Sequence, residues 1–222
     1  MTVLYRASGP VTLVGGGPVD AAQLARVLAL APEAVAADGG GDTALPPGVP
    51  FRAVIGDMDS IKSAAALRTR GVPVHEIAEQ DGTDLEKCLR TVAAPLFLGL
   101  GFLGGRIDHH MAAMNALVKF AATPCVLIGG ADLCFLCPPV LELEMTAGAR
   151  VSLFPMGAVN GVVSHGLRWS VAGLAMAPDG RIGTSNMALG GPVRLGFDRA
   201  AMLVILPVGM LDAVVERLTR CV

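Results

Sequence analysis

The chain is poor in aromatic residues and in charge. Phe, Trp and Tyr make up 4% of its 222 residues, with a single Trp and a single Tyr, and only 16% are Asp, Glu, Lys or Arg. So few rings leave few stacking platforms, and a flat ligand has to rest largely on aliphatic side chains or on Trp169. Lys and Arg number 17 against 19 Asp and Glu, a formal net charge of −2. No positive field is available to gather nucleic acid or anionic lipid. Long apolar runs are missing too. Although 53% of residues are hydrophobic, the longest stretches without a charge are 91–105 and 151–167, both broken by Gly and Pro. A membrane-spanning helix needs about 20 clean apolar residues, so neither stretch is expected to cross a membrane. The first residues lack a basic segment leading into a continuous apolar core, so no signal peptide is expected and the chain is placed in the cytoplasm. Cysteine is sparse and odd in number: Cys88, Cys125, Cys134, Cys137 and Cys221. That fits a reducing compartment. Cys134-Phe-Leu-Cys137 has no second C-x-x-C to complete a four-thiolate zinc site, so buried thiols are expected. Also absent are G-x-x-x-x-G-K-[ST] and G-x-S-x-G, which excludes a P-loop kinase and an acyl-transfer elbow.

What is present divides the chain near residue 140. Up to there, short apolar runs, Gly-rich breaks and helical patterns alternate, as in β-α-β units around a parallel sheet. Strands are expected at 12–14, 34–37, 53–55, 72–77, 95–100 and 125–128, and helices at 21–30, 64–70, 83–93 and 109–122. Thr83 with Glu86 three residues on reads as a capping box, and Asp108 as the cap of the last helix. Beyond Pro138-Pro139, short strands separated by turns suggest a sandwich, at 150–155, 161–164, 169–171, 174–177, 181–184, 193–197 and 202–206, with an amphipathic helix at 211–220. The expected architecture is therefore a Rossmann-like α/β domain over 1–140 followed by a β-sandwich domain over 141–222.

In an open parallel sheet, ligands bind beyond the carboxyl ends of the strands. Asp38, Asp57 and Asp59 fall at such ends. Carboxylates gathered there repel one another unless a cation joins them, and a hard oxygen-seeking ion such as Mg²⁺ is the natural one. Glycines beside them, Gly39, Gly40 and Gly56, let a phosphate approach the backbone. Asp81 and Asp84 fall on the same side of the sheet. Lys87 reads either as a solvated partner of the acids or as a phosphate contact. Arg106, at a strand-to-helix turn beside Asp108 and His109, can grip phosphate oxygens, and the helix start adds backbone N–H groups. Asp108 reads equally as no more than the helix cap, and His109 and His110 as ordinary first-turn residues. A dinucleotide site is a weaker fit, because the third glycine after Gly15-x-Gly17 would fall at Asp20.

Taken in order, Ala37-Asp-Gly-Gly40, Ile55-Gly-Asp-Met-Asp-Ser60, Asp81-Gly-Thr-Asp-Leu-Glu-Lys87 and Gly101-Phe-Leu-Gly-Gly-Arg-Ile-Asp-His109 resemble the motif series of thiamine pyrophosphokinases. In the second half, Val151-Ser-Leu-Phe-Pro155, Gly166-Leu-Arg-Trp169 and Thr184-Ser-Asn186 are similar to that family's thiamine-binding domain. The resemblance implies pyrophosphate transfer from ATP to thiamine with Mg²⁺, in a homodimer whose sites are shared between subunits. It implies metal ligands at Asp38, Asp57, Asp59 and Asp84, and catalytic roles for Asp57, Asp59, Asp84 and Arg106. ATP and phosphate binding fall to Asp38, Gly39, Gly40, Asp81, Lys87, Arg106, Asp108 and His109, and thiamine binding to Ser185, Asn186 and Trp169. Two rivals are a pyrophosphokinase for another heteroaromatic alcohol, such as a hydroxymethylpterin, and a nucleotide or thiamine sensor without turnover.

Overall fold

A computed structural model describes residues 2–220, which excludes Cys221. They form two compact units, one running up to Ala116 and including Ala122–Gly130, the other holding Leu117–Ala121 and the chain from Ala131. The chain carries sheets with helices, and further antiparallel strands follow in its second half.

The first unit contains β1 (Tyr5–Arg6), β2 (Val11–Val14), α1 (Ala21–Leu30), β3 (Glu33–Ala37), β4 (Phe51–Gly56), α2 (Ala64–Thr69), β5 (Val74–Glu76), α3 (Asp84–Thr91), β6 (Val92–Ala93), β7 (Phe97–Leu100), the start of α4 (Ile107–Lys119) and β8 (Cys125–Gly129). Its main strands neighbour one another in the order β8-β7-β2-β3-β4-β5, every pairing parallel. Their side chains read as unbroken apolar runs because the central strands are buried on both faces; Val11, Leu13, Val35, Val54, Leu98 and Leu127 have no exposed surface. Since the strands run one way, the residues that follow β2, β3, β4 and β7 emerge at one edge.

The second unit contains β9 (Asp132–Leu136), β10 (Leu141–Met145), β11 (Arg150–Pro155), β12 (Val159–His165), β13 (Ala175–Met176), β14 (Gly183–Met187), β15 (Gly191–Phe197), β16 (Met202–Pro207) and α5 (Leu211–Thr219). Antiparallel neighbours run β14-β11-β16-β9 and β10-β15-β12-β13. α5 buries Leu211, Val214, Val215 and Leu218, the expected apolar stripe.

Three local expectations need correction. Strands β9 and β10 lie where none was expected. Residues 169–171 form no strand, because the Trp169 backbone bonds to the Asn186 side chain and Val171 N donates to Ser164 Oγ at 3.0 Å. Asp108 does not cap α4, which already begins at Ile107. The four described cysteines are buried and form no disulfide with one another. Burial, with Asp132 nearby, pushes the Cys134 thiol up to about 12, and burial alone does the same to Cys137. Among the described residues no helix is long and apolar enough to cross a membrane.

Candidate active site

The site starts with a strained turn. After β3, Asp38 adopts φ 40° and opens a 3-10 turn over Asp38–Asp42. Two glycines make room for it. A Cβ on Gly56 would stand 2.5 Å from Asp38 Cβ, and one on Gly40 would stand 1.9 Å from the Val14 carbonyl oxygen. Asp38 is only 2% exposed. Its Oδ2 accepts from the Ser60 backbone N–H at 3.0 Å, whereas Oδ1 is buried without a partner. Burial pushes this carboxyl up, Ser60 pulls it back, and Asp84 and Asp57 push it further.

Beyond β4 the chain turns through Met58 at φ 65°. Asp57 Oδ1 accepts from the Asp59 N–H at 3.3 Å, and Asp57 Oδ2 accepts from Gln80 Nε2 at 3.0 Å and Lys87 Nζ at 3.2 Å. Burial acts to raise the Asp57 carboxyl, but Gln80, Asp59 and Lys87 together hold it below the usual range. Asp59 is exposed and accepts from Ser60 Oγ at 2.7 Å. One oxygen from each of Asp38, Asp57 and Asp59 lies within 4.8 Å of the others. That trio is a donor set for a metal ion, and the buried, unpartnered Asp38 Oδ1 is the kind of oxygen a hard cation satisfies.

Helix α3 brings the next acid. Thr83 caps it as expected, its side chain accepting from Glu86 N at 3.4 Å, and this sets Asp84 in the first turn. Burial raises the Asp84 carboxyl, Lys87 lowers it, and Asp57 and Asp59 raise it again. Asp84 is not in the trio; its Oδ1 accepts from Lys87 Nζ at 3.0 Å. Lys87 itself is only 1% exposed. It is therefore no solvated surface lysine, and both of its ion pairs go to carboxylates, Asp57 and Asp84, rather than toward open solvent.

These residues line a cleft of about 1020 Å³, together with Gly15, Gly16 and Gly17 after β2, Gly101 and Phe102 after β7, and Arg106 and His109. Gly39 lines it, but Gly40, Asp81 and Asp108 do not. Asp81 is exposed, and Asp108 forms a two-point pair with Arg106, Nε to Oδ1 at 3.2 Å and Nη2 to Oδ2 at 2.6 Å. Sequence reasoning overlooked Gln80, which orients Asp57 and sits just before the recognised Asp81–Lys87 motif; it included Ser60 in a motif but assigned no role to the backbone N–H with which Ser60 holds Asp38. Asp20 caps α1 by accepting from Gln23 N at 2.9 Å, so a carboxylate stands where a dinucleotide's pyrophosphate would need free N–H groups.

The second unit holds Ser185, Asn186 and Trp169. Ser185 adopts φ 61° at an irregularity between β14 and β11 and donates its N–H to Ser152 Oγ at 3.0 Å. Asn186 is buried, and Trp169 is 53% exposed with the Arg168 guanidinium 5.0 Å from its ring centre.

Residues 24–128 match the family model for the thiamin pyrophosphokinase catalytic domain, and residues 140–201 match that for the thiamin pyrophosphokinase vitamin B1 binding domain. The chain belongs to the thiamin pyrophosphokinase family. Thiamine pyrophosphokinase 1 of Oryza sativa subsp. japonica is 32% identical over 161 residues, 64% of this chain and 61% of that protein. Thiamin pyrophosphokinase 1 of Caenorhabditis elegans is 31% identical over 150 residues, 60% of each. The match thus spans about three fifths of the length of these curated relatives. Among solved structures, the yeast thiamin pyrophosphokinase superposes with a TM-score of 0.72 at 17% identity, covering 97% of this chain and 94% of that one. The Bacillus subtilis thiamine pyrophosphokinase gives 0.72 at 19% identity, covering 89% and 98%. At that identity these two likenesses speak for the family's fold.

Proposed function

We propose that the chain transfers pyrophosphate from ATP to the hydroxyl of thiamine, giving thiamine diphosphate and AMP. The observation that carries this reading is the convergence of Asp38, Asp57 and Asp59 on one point of a glycine-lined cleft, in a chain matched by both domains of the family. The thiamine hydroxyl oxygen bonds to the β-phosphorus of ATP. The bond from that phosphorus to the oxygen bridging to the α-phosphate breaks, and its electron pair leaves with AMP. Asp84, whose carboxyl is raised by burial, takes the hydroxyl proton. Arg106, on the cleft wall, exchanges Asp108 for phosphate oxygens, and His109 stands beside it. Backbone at Gly15–Gly17 and Gly39 gives the phosphates close approach. Asp38, Asp57 and Asp59 would hold Mg²⁺, which supplies charge neutralisation on the phosphates. Lys87 acts through the acids it pairs with.

We read the first unit as Rossmann-like and the second as a β-sandwich. Residues 1–140 handle the nucleotide; residues 141–222 bind thiamine through Trp169 and Ser185, with Asn186. From the family resemblance we also propose a homodimer with shared sites, and we place the chain in the cytoplasm on its sequence composition. Incubation with ATP, Mg²⁺ and thiamine yields AMP and thiamine diphosphate in equal amounts. Release of ADP or inorganic phosphate, or binding of both ligands without turnover, overturns the reading. Faster turnover of a hydroxymethylpterin than of thiamine reassigns the substrate.

A further inference from the structure

The polar machinery around Trp169 is more specific than a surface loop requires. Residues 167–169 lie outside every regular strand, yet each is fastened to residues 186–188. Leu167 bridges Ala188. Arg168 N donates to the Met187 carbonyl at 2.8 Å. For Trp169 the partner is a side chain: Asn186 Nδ2 donates to the Trp169 carbonyl at 2.7 Å, and the Trp169 N–H donates to Asn186 Oδ1 at 3.2 Å. The amide thus stands in for the peptide group of a neighbouring strand.

The same Oδ1 also accepts from Met187 N at 2.8 Å. Both acceptor sites and one of the two amide donors are therefore taken by this chain's own backbone. Asn186 is 5% exposed, so little of it is left to face a ligand, whereas the indole it supports is 53% exposed. Ser185, immediately before Asn186, is left-handed, and Ser152 Oγ rather than a ladder partner receives its N–H.

We propose that Asn186 is a positioning residue for substrate binding: its buried amide clamps the Trp169 backbone so that the exposed indole is held ready for a flat heteroaromatic ring. Asn186 itself does not touch the substrate. The identity of that ring as thiamine rests on the function proposed above; the clamp does not. A platform fixed in advance loses less entropy when a ring stacks on it.

Trp169 is the only tryptophan in the chain, so its fluorescence reports on this position alone. In the ligand-free protein, Asn186→Asp keeps the shape but loses the donor, and the expected result is lower Trp169 anisotropy and stronger acrylamide quenching. With ATP and Mg²⁺ supplied, the KM for thiamine rises about tenfold while the KM for ATP stays within about twofold. In a Trp169→Ala background, Asn186→Asp changes the thiamine KM by less than about twofold, because the two residues act as one unit. Asn186→Ala is measured alongside, since a buried carboxylate can prevent folding. A thiamine KM effect that persists without the indole shows that Asn186 contacts substrate directly, and unchanged anisotropy and quenching show that there is no clamp; either overturns the proposal. Absence of thiamine turnover in the unaltered protein overturns the substrate half and the proposed reaction together, while the ligand-free fluorescence decides the clamp separately.

Discussion

At the scale of single residues, the site is a set of carboxylates whose protons are controlled by different neighbours. Asp42 is the simplest case. Its Oδ1 accepts from Ser63 N at 2.8 Å and its Oδ2 from Lys62 N at 2.9 Å, tying the 3-10 turn to the loop that carries Asp57 and Asp59. Ser63, and then Lys62, hold this carboxyl below the usual range. A depressed folded-state pKa means that the unfolded chain binds the proton more readily, so the stabilisation is present above the unfolded pKa and is lost as pH falls through the folded one. Urea unfolding of the unaltered protein and Asp42→Asn at a series of pH values should show a stability gap at pH 7 that closes on acidification. An equal gap at both ends would contradict this. Asp108 teaches the opposite lesson about reading residues one at a time. Its type and place fitted a helix cap, but helix caps are decided by where the backbone enters its first turn, and Ile107 is already helical.

At the scale of elements, α3 and β4 are joined through one buried cation. Lys87, from the first turns of α3, reaches Asp57 at the end of β4 as well as Asp84 on its own helix. Taking away one member of a buried ion pair leaves its partner uncompensated. Lys87→Met should therefore lose about 3 kcal/mol in urea unfolding, toward the low end of the known range because Asp57 and Asp84 keep some solvent contact. Millimolar Mg²⁺ should return part of it. A loss under about 1 kcal/mol, indifferent to Mg²⁺, would show that the pairing matters little. The elements of the first unit were legible because buried parallel strands leave unbroken apolar runs that end in Gly and Asp. In the second unit, Leu141–Met145 alternates buried and exposed side chains, a period-two pattern that was available but passed over beside Pro138-Pro139. Residues 169–171 were illegible for a physical reason: the bonds that hold them come from side chains distant in sequence, and no local pattern announces such partners.

At the scale of the whole molecule, the account depends on parallel strands delivering residues far apart in sequence to a single edge. Asp38, Asp57 and Asp59 meet there, Asp84 stands beside them, and Gly15–Gly17 and Arg106 complete the cleft wall. The motif order in the sequence foretold which segments matter. It offered Lys87 as a partner of the acids but could not foretell that the lysine would be buried among them, or that Asp81, in the loop before α3, would lie outside the cleft, because those depend on side-chain directions that the motif order does not fix. The most direct test is a titration with Mn²⁺ followed by electron paramagnetic resonance. The unaltered protein should bind one Mn²⁺ tightly. Asp38→Asn, Asp57→Asn and Asp59→Asn should each weaken that binding about tenfold or more, as expected when an anionic ligand is lost from a shared hard-cation site, and Asp108→Asn should leave it unchanged. Equal Mn²⁺ affinity across all four variants would mean that the three carboxylates share no ion.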